Sequence, residues 1–178
     1  MTAESLSRPV DPLSEAELKE SSRKVGLLAF LSSVVMLFAT FTAAFLVRRT
    51  GTDWKPLEMP EIMWISTWLL IGSSVTIEIS RVTGRKMGLL VTLGLGLAFL
   101  FCQVKALSEM GGFSGALAEN PHFSFIFVLL LVHALHLLGG IGGLFLTSLS
   151  SSRFGWVVTY WHFMGLVWIY VLVLLFLS

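Results

Sequence analysis

Five stretches of this chain are long and apolar enough to cross a lipid bilayer as helices, near 25–47, 62–80, 87–107, 123–147 and 156–177. A hydrocarbon layer of about 30 Å needs about 20 helical residues. In that layer every backbone N–H and C=O must be satisfied within the protein, so runs of this length predict helices. The predicted fold is all-α: a polytopic bundle of five transmembrane helices. Composition agrees, with 55% hydrophobic and 13% charged residues and a mean hydropathy of +0.84, where soluble domains carry roughly 25% charge. A net charge of +1 gives no reason to expect nucleic acid as a partner. The single cysteine, Cys102, sits in an apolar run and has no intrachain disulfide partner.

Two regions follow: a polar cytoplasmic arm, 1–24, and the five-helix transmembrane domain, 25–178. The arm holds Pro9 and Pro12, has a helix start at Ser14–Glu17 and has no apolar core of signal-peptide type. The first hydrophobic segment is therefore expected to stay in the mature protein. The connections near 48–61, 81–86, 108–122 and 148–155 are too short for a soluble catalytic domain. With the N-terminus inside, Arg8, Lys19, Arg23, Lys24, Arg81, Arg85, Lys86 and Arg153 fall on the inner side. Arg48, Arg49, Lys55 and Lys105 then fall outside. The first set is the larger, which predicts N-terminus in and C-terminus out.

Inside the spans only Glu78 and Lys105 are formally charged, each within a few residues of an end where it can snorkel to the surface. An ion-coupled transporter needs a titratable or ion-coordinating group near mid-membrane, and apart from histidine this chain offers none. By span depth Glu78 lies near His162, so the two form a candidate inner-side polar pair.

LLLVHALHLLGGIGGLF, 129–145, concentrates the remaining chemistry. His133 and His136 are three apart and share a face. They could bond to neighbouring helices, bind haem with His162, or hold another metal. At 1.5 Å per residue His136 lies about 16 Å from the inner end of its span and His162 about 9 Å from that of its own. His133 is deeper still. That offset is awkward for a haem, and no Cys, Asp or Glu at matching depth completes a zinc or copper set. Interhelical hydrogen bonding is the favoured reading.

The glycines suit close packing. Gly139 and Gly143 form a small-xxx-small pair, with Gly140 and Gly142 widening the groove. Gly94, Gly96, Ser32, Ser33, Ser73 and Ser74 are expected to act similarly. Trp54, Trp64 and Trp156 near span ends suit aromatic belts. His122 is expected in the third connection.

Several motifs together resemble one known family. FLSSVVMLFATFTAAFLVRR, 30–49, resembles the first retained helix of subunit III of haem-copper oxidases. WKPLEMPEIMWISTWLLIGSSVT, 54–76, is similar to its next loop and helix. LGLAFLFCQVKAL, 95–107, carries Gln103 at the family's glutamine. HALHLLGG, 133–140, resembles its paired-histidine helix, and YWHFMGLVW, 160–168, with Trp161 and His162, its last. The likeness covers 25–178 and corresponds to the five-helix form of the cytochrome c and quinol oxidase subunits 3.

The resemblance implies a non-catalytic accessory subunit in a bacterial cytoplasmic membrane, with no cofactor of its own. Haem and copper would belong to the partner catalytic subunit I, and phospholipids would lie between the subunits. It also implies support of assembly, proton uptake and durability in turnover, with His133, His136, His162, Gln103, Trp161, Gly139 and Gly143 packing helices together. Two acidic marks of the family are missing: Val34 stands where the first helix has a glutamate, and Gly165 where the last has an aspartate. Other readings are a haem-binding anchor or electron-transfer protein, and an accessory protein of a nitric oxide reductase.

Overall fold

The computed structural model describes residues 12–51, 60–112, 121–149 and 154–176. Arm residues 1–11, Trp54, Lys55, Arg153 and Leu177 lie outside the described residues. Five helices are described: α1 Pro12–Arg48, α2 Ile62–Thr83, α3 Lys86–Glu109, α4 Pro121–Leu149 and α5 Phe154–Phe176. All five are long and apolar enough to cross a membrane, and no strand occurs among the described residues. The chain is a multi-pass helical membrane protein. Each predicted span falls within one of these helices, apart from Leu177. His122 belongs to α4 rather than to the preceding connection. Pro121 opens that helix, since its missing N–H is one the first turn leaves unbonded anyway.

The chain divides into two compact units, Met1–Leu37 and Phe38–Ser178, with α1 crossing the boundary. In the first unit the helix is charged at its start. Glu15 faces Lys19 at 3.6 Å and Glu20 faces Lys24 at 2.9 Å, both exposed i,i+4 pairs of small energetic weight. Further along, Ser33 turns its hydroxyl back onto the Phe30 carbonyl at 2.7 Å.

In the second unit α2 packs on α3, α3 on α4, α4 on α5 and α5 back on α2, closing a ring of four helices. The sequence explains the first of these contacts. The buried positions of α2 are Met63, Ser66, Leu70, Ser73, Ile77 and Ser80; those of α3 are Leu89, Thr92, Gly96, Phe99, Gln103 and Ala106. Both sets alternate steps of three and four, the seven-residue repeat of helices packing at a shallow angle. Small side chains occupy many of the seam positions, so the backbones approach closely. That matters in lipid, where no hydrophobic force drives helices together.

A tight turn fixes the α2–α3 pair. Gly84 ends α2 in the left-handed region, φ +66°, and returns its N–H to the Ser80 carbonyl at 2.9 Å. One turn of helix on, a Cβ at Gly88 would lie 2.7 Å from that of Ser80. Only glycine fits there. Across the seam the Thr76 and Thr92 hydroxyls bond at 2.8 Å, one donating to the other, while the accepting hydroxyl donates to its own helix, at the Ser73 or the Gly88 carbonyl.

Residues 38–48 of α1 join this unit through side chains. Thr42 bonds the Tyr170 hydroxyl at 2.6 Å. Phe45 lies edge-on to Phe125 at 6.1 Å and tilted to His122 at 6.0 Å.

Candidate functional site

The ring encloses a ladder of aromatic side chains from α5 whose polar ends are bonded to α2. Trp161, 1% exposed, donates its indole N–H to Ser73 Oγ at 3.1 Å. Two turns on, Trp168 donates to Thr67 Oγ1, also at 3.1 Å. Each hydroxyl in turn donates to its own helix: Ser73 to the Leu70 carbonyl at 2.7 Å, Thr67 to that of Met63 at 2.8 Å. A buried indole needs a partner for its N–H, and a hydroxyl that both accepts and donates supplies one. Trp64 stacks near Phe176 at 5.0 Å, so the start of α2 meets the end of α5 and the two run antiparallel.

His133 lies at the centre. It is fully buried and forms a three-ring cluster with Phe99 of α3, 5.9 Å away, and Trp168 of α5, 5.3 Å away; Phe99 and Trp168 meet each other edge to face at 5.0 Å and 89°. Neither ring nitrogen has a hydrogen-bond partner among the described residues. The expected interhelical hydrogen bond of His133 is therefore replaced by ring packing, because aromatic faces rather than polar groups surround it. Gln103 is likewise buried with both side-chain heteroatoms unbonded among the described residues.

His136 keeps its Nδ1 at home, 2.8 Å from the Val132 carbonyl, while its own carbonyl accepts the Tyr160 hydroxyl at 2.7 Å. One α4–α5 tie thus runs through the backbone carbonyl of His136. His162 sits elsewhere, with Nε2 3.5 Å from Glu78 Oε2. Arg81 holds Glu78 Oε1 through Nε at 3.0 Å and through Nη2. The structure brings Glu78 and His162 together and separates the three histidines into three environments. No three His, Cys, Asp or Glu side chains among the described residues group as a metal site would require.

The glycines differ in how closely α5 and its neighbours approach them. On α4 the tight position is Gly140, where a Cβ would lie 3.1 Å from Tyr160 Cε1 and 3.4 Å from the Trp161 ring. A Cβ at Gly139 or Gly143 would stand in ordinary contact with α5, the nearest atoms being Tyr160 Oη at 3.8 Å and Val157 Cγ2 at 3.5 Å. Gly140 faces α5, whereas Gly139 is turned outward by one helical step. Gly142 and Gly94 have nothing within 4 Å. The closest approach to a tryptophan, Gly96 against Trp161 at 2.7 Å, and the Gly88 contact carry the seam. Gly96 stood among several small residues in the sequence, and Gly88 was passed over. The regular seven-residue spacing of Ser66, Ser73 and Ser80 on α2 is the available signal.

Replacing His133 by leucine is expected to leave the fold as stable, or more so by about 1 kcal/mol, because it removes a buried polar group that forms no bond. Thermal unfolding of the purified protein checks this; a clear loss of stability would mean the imidazole bonds to a group outside this chain.

Geometry of this kind defines a class: a packed helical membrane bundle whose polar groups serve mainly to hold helices in register. No family model matches the chain. It is 32% identical over 168 residues to the quinol oxidase subunit 3 of Bacillus subtilis, covering 83% of this chain and 82% of that one. It is 26% identical over 188 residues to the cytochrome c oxidase subunit 3 of Alkalihalophilus pseudofirmus, covering 91% and 89%. The cytochrome c oxidase subunit 3 of a Bacillus species matches at 24% over 199 residues, covering 99% and 95%. The chain belongs to the haem-copper oxidase subunit III family.

Proposed function

We propose that this chain is the non-catalytic subunit III of a bacterial respiratory terminal oxidase. It packs against the catalytic subunit, which carries the haem and copper, and supports assembly and durable turnover while phospholipids fill the space between subunits. The N-terminus lies on the cytoplasmic side and the C-terminus outside, following the Lys and Arg distribution. The observation that best supports this reading is the separation of the three span histidines: one among aromatic rings, one on its own helix, one beside Glu78. Where the family has membrane carboxylates, Val34 and Gly165 offer no proton, so any part in proton uptake passes through other groups.

Purification through a tag on this chain tests the reading. The expected result is co-purification of a haem-copper catalytic subunit, with haem absorbance that follows that subunit when the two are separated. A Soret band retained by the isolated chain and lost in His136→Ala would overturn it in favour of a haem-bearing anchor. Recovery with a nitric oxide reductase instead would reassign the complex.

A further inference from the structure

A groove of about 570 Å³ runs between α2 and α5, and its chemistry is uneven. Ile71 and Val75 of α2 face Leu166 and Ile169 of α5 along most of its length, and Glu78 with His162 stands at one end. Gly165 adds no side chain, its nearest neighbour being Ser74 Oγ at 3.7 Å from where a Cβ would stand. We propose that this groove binds a lipid-soluble hydroquinone, its ring hydroxyls at Glu78 and His162 and its isoprenoid tail along the apolar walls. This is a binding site only, and it goes beyond the accessory role above.

Three features select that occupant. The polar end is an acceptor pair. A phenolic hydroxyl donates to the Glu78 carboxylate in a charge-assisted bond, and imidazole nitrogen can accept a second. At 3.5 Å the two groups are farther apart than the 2.7–3.2 Å of an ordinary N–H···O bond, so each keeps capacity for a ligand. Their side chains are 39% and 41% exposed.

Charge speaks against a phosphodiester. None of the described lining residues is Lys or Arg, and the adjacent guanidinium, Arg81, is already held by Glu78. A phosphate placed there would meet a carboxylate. Depth agrees, because Glu78 lies five residues before the end of α2, about 8 Å along the axis. Where the end of α2 meets the membrane surface, that depth is the one a ring just inside the hydrocarbon would take. The volume falls within the roughly 300–1,000 Å³ typical of small-molecule sites, enough for a ring and the first part of a tail.

The probe is a benzohydroquinone with a diazirine in its alkyl tail, photolysed with the purified oxidase complex under reducing conditions. Labelled peptides are mapped by mass spectrometry. Labelling is expected within 67–79 and 162–169, abolished by excess decylubiquinol and reduced about tenfold in Glu78→Leu, the loss of one bond to a charged group. Gly165→Trp, which fills the groove, should abolish it. Labelling elsewhere, or groove labelling that decylubiquinol does not compete, overturns the proposal. So does a phospholipid retained in native mass spectra of the wild type, lost in Gly165→Trp, with no labelling by the probe. Haem content and subunit recovery are read on the same samples, so failure of the accessory role is seen separately. If a variant does not assemble, competition on the wild-type complex decides alone.

Discussion

Gly96→Leu is expected to destabilise the bundle by about 3 kcal/mol and to deplete this chain from the assembled complex. A Cβ at that position lies 2.7 Å from Trp161 Cη2 and 3.2 Å from Cζ2, with Ile141 Cγ1 at 3.7 Å behind. The indole cannot swing aside cheaply. It is buried, its N–H is held by Ser73, and its other edge rests against Gly140. The larger side chain must therefore push α3 away from α5, losing the close contact that substitutes for hydrophobic drive in lipid. Two controls give the prediction its content. Gly94→Leu and Gly142→Leu, at positions with open space, are expected to change stability by about 0.5 kcal/mol or less. In a Trp161→Leu background the Gly96→Leu penalty should largely vanish, since the clashing ring is gone. Recovery of tagged chain in the complex, with thermal inactivation of oxidase activity, measures all four. Equal recovery of Gly96→Leu and Gly94→Leu would refute the packing argument.

The five helices were legible because a bilayer makes apolar length the deciding signal, and lengths of about 20 residues are hard to miss. Helix facing was harder to read. In a soluble helix polar residues mark the outside; here Leu, Val and Ile stand both on the exposed surface, as Val82 and Leu90 do, and in the core, as Ile77 and Leu137 do. Inside and outside differ instead by size and by small hydroxyls. The Ser66, Ser73, Ser80 spacing on α2 was therefore informative, while the run of glycines at 139–143 was ambiguous by one residue. A step of one along a helix turns a side chain by about 100°, and that step is the difference between Gly139 and Gly140. His133 departs from its expected hydrogen bond for a different reason. The sequence shows that His133 is polar and mid-span, but not that Phe99 and Trp168 from two other helices pack with it as one aromatic cluster. Glu78 and His162 were matched by depth alone, which works because both lie near the same end of antiparallel helices.

Trp168→Ala is expected to cost about 3–5 kcal/mol, the largest loss of any truncation within the ladder. The indole touches three elements at once: Thr67 on α2 by hydrogen bond, Phe99 on α3 edge to face, and His133 on α4 ring to ring. Removing it opens a void where those helices converge and takes away one of the two rings packed against a fully buried imidazole. The contributions can be separated. Trp168→Phe keeps most of the ring area and loses the N–H, leaving Thr67 its own bond to the Met63 carbonyl. Its cost should be about 1 kcal/mol, and the coupling between Trp168 and Thr67 in a double-mutant cycle with Thr67→Val about 0.6 kcal/mol, the usual weight of such bonds between membrane helices. Packing then accounts for most of the alanine loss. Water entering the void would bond to His133, so His133→Leu should become unfavourable in the Trp168→Ala background although it is neutral or favourable in the wild type. Unfolding of each variant in detergent, followed by tryptophan fluorescence or helical circular dichroism, measures the set. If Trp168→Phe costs as much as Trp168→Ala, the hydrogen bond to Thr67 rather than the ring holds α5 in the bundle.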